Sequence, residues 1–237
     1  MGNLIEEISL RDREYVFKDR SDAGRFLSQK LLKYKGSDSI ILSIPSGGVP
    51  IAFEIMQALS LPIDLIIVRK IQIPNNPEAG FGAMSPNGEV ILNKSLLNQI
   101  GLTKEEITTQ IRKTEDVIKK RGHVFRGDKP FPSMENKNVF IVDDGLASGY
   151  TMLAAINFIK RKSPVKIIVA VPTASKKTVD SILPEVDELV CLNIRSGYPF
   201  AVADAYEDWY DLTDEEVLEI LKKDNHSIEL IKRGDNK

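Results

Sequence analysis

Apolar runs rich in β-branched residues recur at positions 40–44, 64–68, 139–142, 165–171 and 189–194, each bounded by proline, glycine or charge. They lack the polar alternation of a half-exposed strand. They therefore predict strands covered on both faces, as in a parallel sheet. Segments of helical period lie between them. One opens at Ser21, places Phe26, Leu27 and Leu31 on one face and closes at Gly36. Another opens at Thr103, which with Glu106 makes a capping-box pattern, and carries Ile107, Ile111 and Ile118 up to Lys119-Lys-Arg-Gly122. Thr213 and Glu216 repeat the device near the C-terminus. Further helices are expected at 49–59, 150–160 and 175–183, so strands and helices alternate. Alternation implies an α/β fold of parallel βαβ units, a sheet flanked by helices.

Two stretches interrupt that rhythm. Residues 71–82, with two prolines and two glycines after the second strand, predict a mobile loop. Pro86-Asn-Gly88 then reads as the turn of a short antiparallel hairpin attached to the sheet. A second loop is expected at 125–132.

At 237 residues the chain reads as a single domain over 1–237, with a core of about 20–195 and a small hood built from 1–19 and 196–237. Lys plus Arg number 32 against 34 Asp plus Glu, so no global field attracts nucleic acid or an anionic membrane, and an anion site must be local. Cys191 is the single cysteine and sits in an apolar strand, which suits a buried filler in a reducing compartment. His123 and His226 have no zinc-type spacing and receive no role. The start of the chain shows no apolar signal-peptide run, and a soluble cytoplasmic protein is expected.

Ligands of open α/β sheets sit beyond the carboxyl ends of the strands. Residues 139–151, Val-Phe-Ile-Val-Asp-Asp-Gly-Leu-Ala-Ser-Gly-Tyr-Thr, join an apolar strand to two carboxylates and then to a small-residue turn that opens a helix. Backbone N–H groups in such a turn, together with the helix N-terminus, hold a dianionic phosphate without a cationic side chain. Ser148 and Thr151 add hydroxyl donors, and Gly149 permits close approach. Asp143 and Asp144 are acceptors suited to a vicinal diol. The chemistry is that of a ribose beside its phosphate.

Two more loops follow core strands. Residues 44–50, Ile-Pro-Ser-Gly-Gly-Val-Pro, could offer the amides of Ser46, Gly47 and Gly48 to an anion, and Val68-Arg69-Lys70 places two cations before the Pro/Gly-rich stretch. The dinucleotide G-x-G-x-x-G and Walker G-x-x-x-x-G-K patterns are absent from the sequence, as is a strand-ending Asp-x-Asp.

The 139–151 segment resembles the phosphoribosyl diphosphate (PRPP) signature of type I phosphoribosyltransferases. The likeness extends to 17–24, 44–50, 68–70 and 123–127, where the chain is similar to a subgroup whose acceptor is unassigned. The resemblance implies that Asp143 and Asp144 bind the ribose hydroxyls and that Ala147, Ser148, Gly149, Tyr150 and Thr151 wrap the 5-phosphate. It implies that Ser46, Gly47 and Gly48 bind diphosphate, and that Arg69 and Lys70 serve catalysis at the leaving group beneath a closing loop. Mg2+ would be held by Asp143 and Asp144 indirectly, through water or substrate. Ala147 stands where 6-oxopurine enzymes carry an acid, so the adenine-type pattern is nearer. The aromatic stretch 191–209 supplies Tyr198, Phe200 and Tyr206 as candidates to stack on an acceptor base.

The implied activity is transfer of 5-phosphoribose from PRPP to a small nitrogenous acceptor, a step of nucleotide metabolism. The alternative is a non-catalytic module that senses PRPP or a nucleotide. Neither nucleic acid nor membrane is expected as a partner, and a homodimer is left open.

Overall fold

The structure, a computed structural model, describes residues 2–127 and 129–223. In chain order its strands are β1 (Asn3–Ile5), β2 (Ser39–Ser43), β3 (Ile63–Leu65), β4 (Arg69–Ile73), β5 (Asn76–Met84), β6 (Val90–Leu92), β7 (Asn138–Val142), β8 (Lys166–Ser175) and β9 (Glu188–Arg195). The helices are α1 (Arg20–Leu31), α2 (Gly48–Leu59), α3 (Lys94–Ile100), α4 (Lys104–Arg126), α5 (Tyr150–Lys160), α6 (Lys176–Ile182) and α7 (Asp214–Lys222).

Six strands form one sheet in the order β1-β9-β8-β7-β2-β3, every pairing parallel. Four of the five apolar runs are its inner members, the 64–68 run starts in the edge strand β3, and β2 is buried along its whole length. Residues 3–5, assigned to the hood from sequence, instead pair with β9 as an edge strand. One face of the sheet packs Ile141, Val169 and Leu189 against Met152, Ile156 and Ile159 of α5. The other packs Ile41, Phe140 and Ile168 against Leu27 and Leu31 of α1 and Ile51 and Ile55 of α2. Alternate residues of one strand thus serve opposite layers, which is why the runs are apolar throughout.

The stretch expected to be a mobile loop is a hairpin. β4, β5 and β6 form a separate antiparallel sheet, turning first at Asn75 (φ 61°) and then at Gly88 (φ 82°). Its glycines answer to close approach. A Cβ on Gly80 would lie 2.2 Å from Lys70 Cγ, and one on Gly82 would lie 2.3 Å from the Ile91 carbonyl oxygen. Only a residue without a side chain fits at these crossings. The 86–88 turn forms as expected, within this smaller sheet.

Both capping boxes form. Thr103 accepts from the Glu106 amide and Thr213 from the Glu216 amide, each glutamate returning to the cap amide. Such a cap contributes about 1 kcal/mol to its helix. Helix α4 runs past Gly122 to Arg126 and ends at Gly127 (φ 58°), so it takes in part of the expected 125–132 loop. The first helix is capped by Asp19 in place of Ser21, its side chain accepting from the Asp22 amide. Gly36 (φ 67°) follows a further turn of 3-10 helix. A third apolar cluster, with Leu65, Ile71, Phe81, Met84, Ile118 and Val217, joins α4 and α7 to the smaller sheet.

The terminal segments run side by side. Phe17 bridges Tyr206, and the amides of Glu207 and Asp208 donate to the carbonyls of Phe17 and Lys18. His226 and the end of the expected hood, 224–237, lie outside the described residues. Cys191 is buried, and burial pushes its thiol well up, consistent with a packing role. Among the described residues no helix is long and apolar enough to cross a membrane.

Candidate active site

The register of the main sheet decides where the site lies. Ser43 is level with Val142 on one side and with Leu65 on the other, so β2, β7 and β3 finish together. The segments leaving them (residues 44–48, 143–149 and 66–69) emerge at one carboxyl edge.

The first two of these segments touch. A Cβ on Gly48 would lie 2.6 Å from the Val142 carbonyl oxygen, and one on Gly47 would lie 1.8 Å from Asp144 Oδ2. Paired glycines here let one backbone rest on the acidic end of the neighbouring strand. The Pro45–Ser46 peptide is cis.

After Asp144 the chain makes a turn that leaves donors over. The Leu146 amide donates to Thr173 O at 2.9 Å, and its carbonyl accepts from the Ser175 amide at 3.2 Å. The Ala147 carbonyl accepts from the Thr178 hydroxyl. Gly149 adopts φ 79°, and a Cβ there would lie 2.7 Å from Thr178 Cγ2. The turn is thus pinned from below by β8 and α6. Among the described residues the amides of Ala147, Ser148 and Gly149 donate to no protein acceptor. Ala147 and Ser148 are exposed, and Tyr150 and Thr151 are half-buried in the first turn of α5. Amides left over at a helix N-terminus can receive an anion.

Beneath the turn lie the two carboxylates. Asp143 Oδ1 accepts the Asp144 amide at 2.9 Å. Burial and the adjacent charge of Asp144 push the Asp143 carboxyl well above the usual range. Burial also raises Asp144, while the Arg20 guanidinium pulls it back down. Arg20 Nε donates to Asp144 Oδ2 at 2.9 Å and Nη1 to Tyr210 O at 2.8 Å, and its Cζ lies 3.9 Å from the centre of the Trp209 ring.

Nothing in the spacing of the sequence signals this arginine. The same holds for Arg121 on α4, whose Nη2 reaches Ser46 Oγ and Asp214 Oδ1, each at 2.8 Å. Arg69 begins β4 close to Arg121, and desolvation together with that neighbouring charge lowers its pKa. The structure therefore brings Ser46, Gly47, Gly48, Arg69, Asp143, Asp144 and the 147–151 turn to one edge. Lys70 follows Arg69 in β4 and packs over Gly80.

The family comparison matches this arrangement: the phosphoribosyl transferase domain family covers residues 18–205. The chain belongs to that family. Two Mycobacterium tuberculosis proteins, from strains CDC 1551 and H37Rv, are each 33% identical over 208 residues, spanning 88% of this chain and 47% of their own length. Both are named as phosphoribosyl transferases, an assignment their names mark as provisional. The chain thus spans about half the length of the curated relatives it matches. The crystal structure of TT1426 from Thermus thermophilus is 32% identical and superposes with a TM-score of 0.69 over 87% of this chain and 98% of that one. The family match over 18–205 therefore takes in five of the six strands of the main sheet, all but β1, and both the 44–48 and 143–151 loops.

The aromatic residues expected to stack on a base do not gather. Tyr206 is 1% exposed, enclosed by Phe17 and Trp209, and donates its hydroxyl to the Asp144 carbonyl at 2.6 Å. Burial holds that phenol neutral. It is a strut under the acidic pair and offers no face to a ligand. Phe200 lies under the Arg195 guanidinium, 5.3 Å from its Cζ. Tyr198 is 97% exposed.

Proposed function

We propose that the protein transfers the 5-phosphoribosyl group of PRPP to a nucleobase or related nitrogen acceptor and releases diphosphate. The observation that carries this reading is the turn of Ala147, Ser148 and Gly149, whose amides have no protein acceptor among the described residues and which stands directly beside Asp143 and Asp144. The amides suit the 5-phosphate and the carboxylates suit the ribose hydroxyls. The amides of Ser46 and Gly47, with Arg69 and Lys70, supply donors and positive charge where diphosphate would leave. The Gly48 amide, expected to join them, instead donates to the Ile44 carbonyl at 3.1 Å, so Gly48 serves close approach alone.

The reaction breaks the bond from ribose C1 to the diphosphate oxygen, and the electron pair departs with diphosphate. A bond from C1 to the acceptor nitrogen forms, and that nitrogen gives up its proton to the departing diphosphate or to solvent. Positive charge grows on the ribose and negative charge on the leaving group. Carboxylates beneath the first and cations beside the second stabilise that separation.

Mg2+ accords with these residues. Asp143 and Asp144 are neighbouring carboxylates whose repulsion a cation relieves, and among the described residues no cluster of three or more His, Cys, Asp or Glu side chains offers a complete protein cage. A hard ion carried on substrate oxygens and water fits such a pair. When bound, it neutralises diphosphate charge.

The test is a screen of purines, pyrimidines and related amines with PRPP and Mg2+, reading diphosphate release. Release that depends on one acceptor class supports transfer. Saturable PRPP binding without release from any acceptor contradicts it and leaves the site as a sensor. Tyr198 and Phe200 stay as the acceptor-side candidates; a Phe200→Ala change that raises KM for the acceptor alone supports that placing.

A further inference from the structure

Helix α4 carries a cation into the site from a region that no motif marks. Arg121 lies five residues before the end of that helix, its side chain only 12% exposed. Its Cζ lies 4.9 Å from the Phe125 ring centre, and its Nη2 spans Ser46 Oγ and Asp214 Oδ1. The Nε–H is buried and has no acceptor among the described residues. A buried guanidinium donor without an acceptor is costly, and proteins retain such a group where a ligand completes it.

The charge balance points the same way. Arg69 lies close enough to Arg121 for that neighbouring charge to disfavour its own, and Asp214, which pairs with Arg121, is the carboxylate that opposes this at Arg69. Its side chain is 44% exposed, so solvent weakens its pull. Two cations facing one screened carboxylate beside Ser46 leave net positive potential. A planar guanidinium fork also matches phosphate oxygens two at a time, which a lysine does not.

We propose that Arg121 is a diphosphate-binding residue, delivered from α4 to the leaving-group side of the site and exchanging its contact with Asp214 for phosphate oxygen when PRPP binds. Asp214, at the first turn of α7, then acts as a competing carboxylate that holds Arg121 beside Ser46. This inference rests on the phosphoribosyl-transfer reading and adds to it a residue and an element, α7.

Isothermal titration of the full chain with PRPP, diphosphate and ribose 5-phosphate, each with Mg2+, tests it. Arg121→Ala should weaken PRPP and diphosphate at least tenfold and leave ribose 5-phosphate within twofold, which also shows that the variant is folded. Arg121→Lys should recover part of the loss. Asp214→Asn, which removes the competitor, should hold or tighten diphosphate. Undiminished diphosphate binding by Arg121→Ala overturns the inference while the phosphoribosyl reading stands. The same loss for ribose 5-phosphate, or an Asp214→Asn variant that reproduces the Arg121→Ala loss, also overturns it, since Arg121 would then act only by tying α7 in place. A wild-type chain that binds neither ribose 5-phosphate nor PRPP removes both readings.

Discussion

The Arg20 guanidinium, 6% exposed, donates from Nε to Asp144 Oδ2 at 2.9 Å, and so the second carboxylate of the acidic pair is anchored from the first turn of α1. Trp209 covers the guanidinium and Tyr210 O accepts from it, while Tyr206 supports the Asp144 backbone. The pair is held in place from a part of the chain far from the strand that bears it.

Removing the arginine should therefore cost more than a surface ion pair. Arg20→Met leaves Asp144 partly buried without its counter-charge, and a loss of about 2–4 kcal/mol in urea unfolding is expected. Asp144→Asn in the same background should recover part of that loss. If the double variant shows no recovery, the two residues are not coupled.

Asp143 should trade stability for binding. An acid whose pKa is raised on folding holds its proton more tightly in the native state. Its contribution to stability therefore falls as pH climbs from the ordinary carboxylate range, near about 4, through the raised value, and is flat above it. Asp143→Asn keeps the acceptor for the Asp144 amide and removes the charge, so a Tm gain of about 2–4 °C at pH 7 is expected. PRPP affinity should fall, and its rise with pH should flatten. A variant that is less stable than the wild type at pH 7 counts against the burden assigned to this carboxylate.

Two glycines are expected to behave oppositely. Gly47→Ala drives a Cβ onto the Asp144 carboxylate, which Arg20 prevents from swinging away, so PRPP affinity should drop at least tenfold. Gly122→Ala falls in the interior of α4 where a Cβ meets nothing, and should stabilise by about 0.5–1 kcal/mol without altering PRPP binding. Thermal melts and titrations of the two variants side by side check the contrast.

What the sequence made legible follows from distance along the chain. The capping boxes at Thr103 and Thr213 could be read because donor and acceptor are three residues apart. The 139–151 arrangement that makes the candidate site was legible because strand, carboxylates, turn and helix form one continuous segment. Arg20 and Arg121 were not read as partners, because Arg20 meets Asp144 across 124 positions, and Arg121 meets Ser46 and Asp214 across 75 and 93. Only the folded register places them together. Residues 71–82 misled for another reason: their glycines look like chain breakers, and the strand crossings that require them become visible only once β4, β5 and β6 are paired. Gly122 was read as a helix end, whereas the positive φ that stops α4 falls at Gly127.

The most direct test of the account is a backbone amide NMR titration with ribose 5-phosphate. It predicts saturable shifts that are largest at Ala147, Ser148 and Gly149, with smaller ones at Asp143 and Asp144, and loss of the response in Gly149→Ala. Absence of binding, or shifts centred on other residues while this turn stays silent, would contradict it.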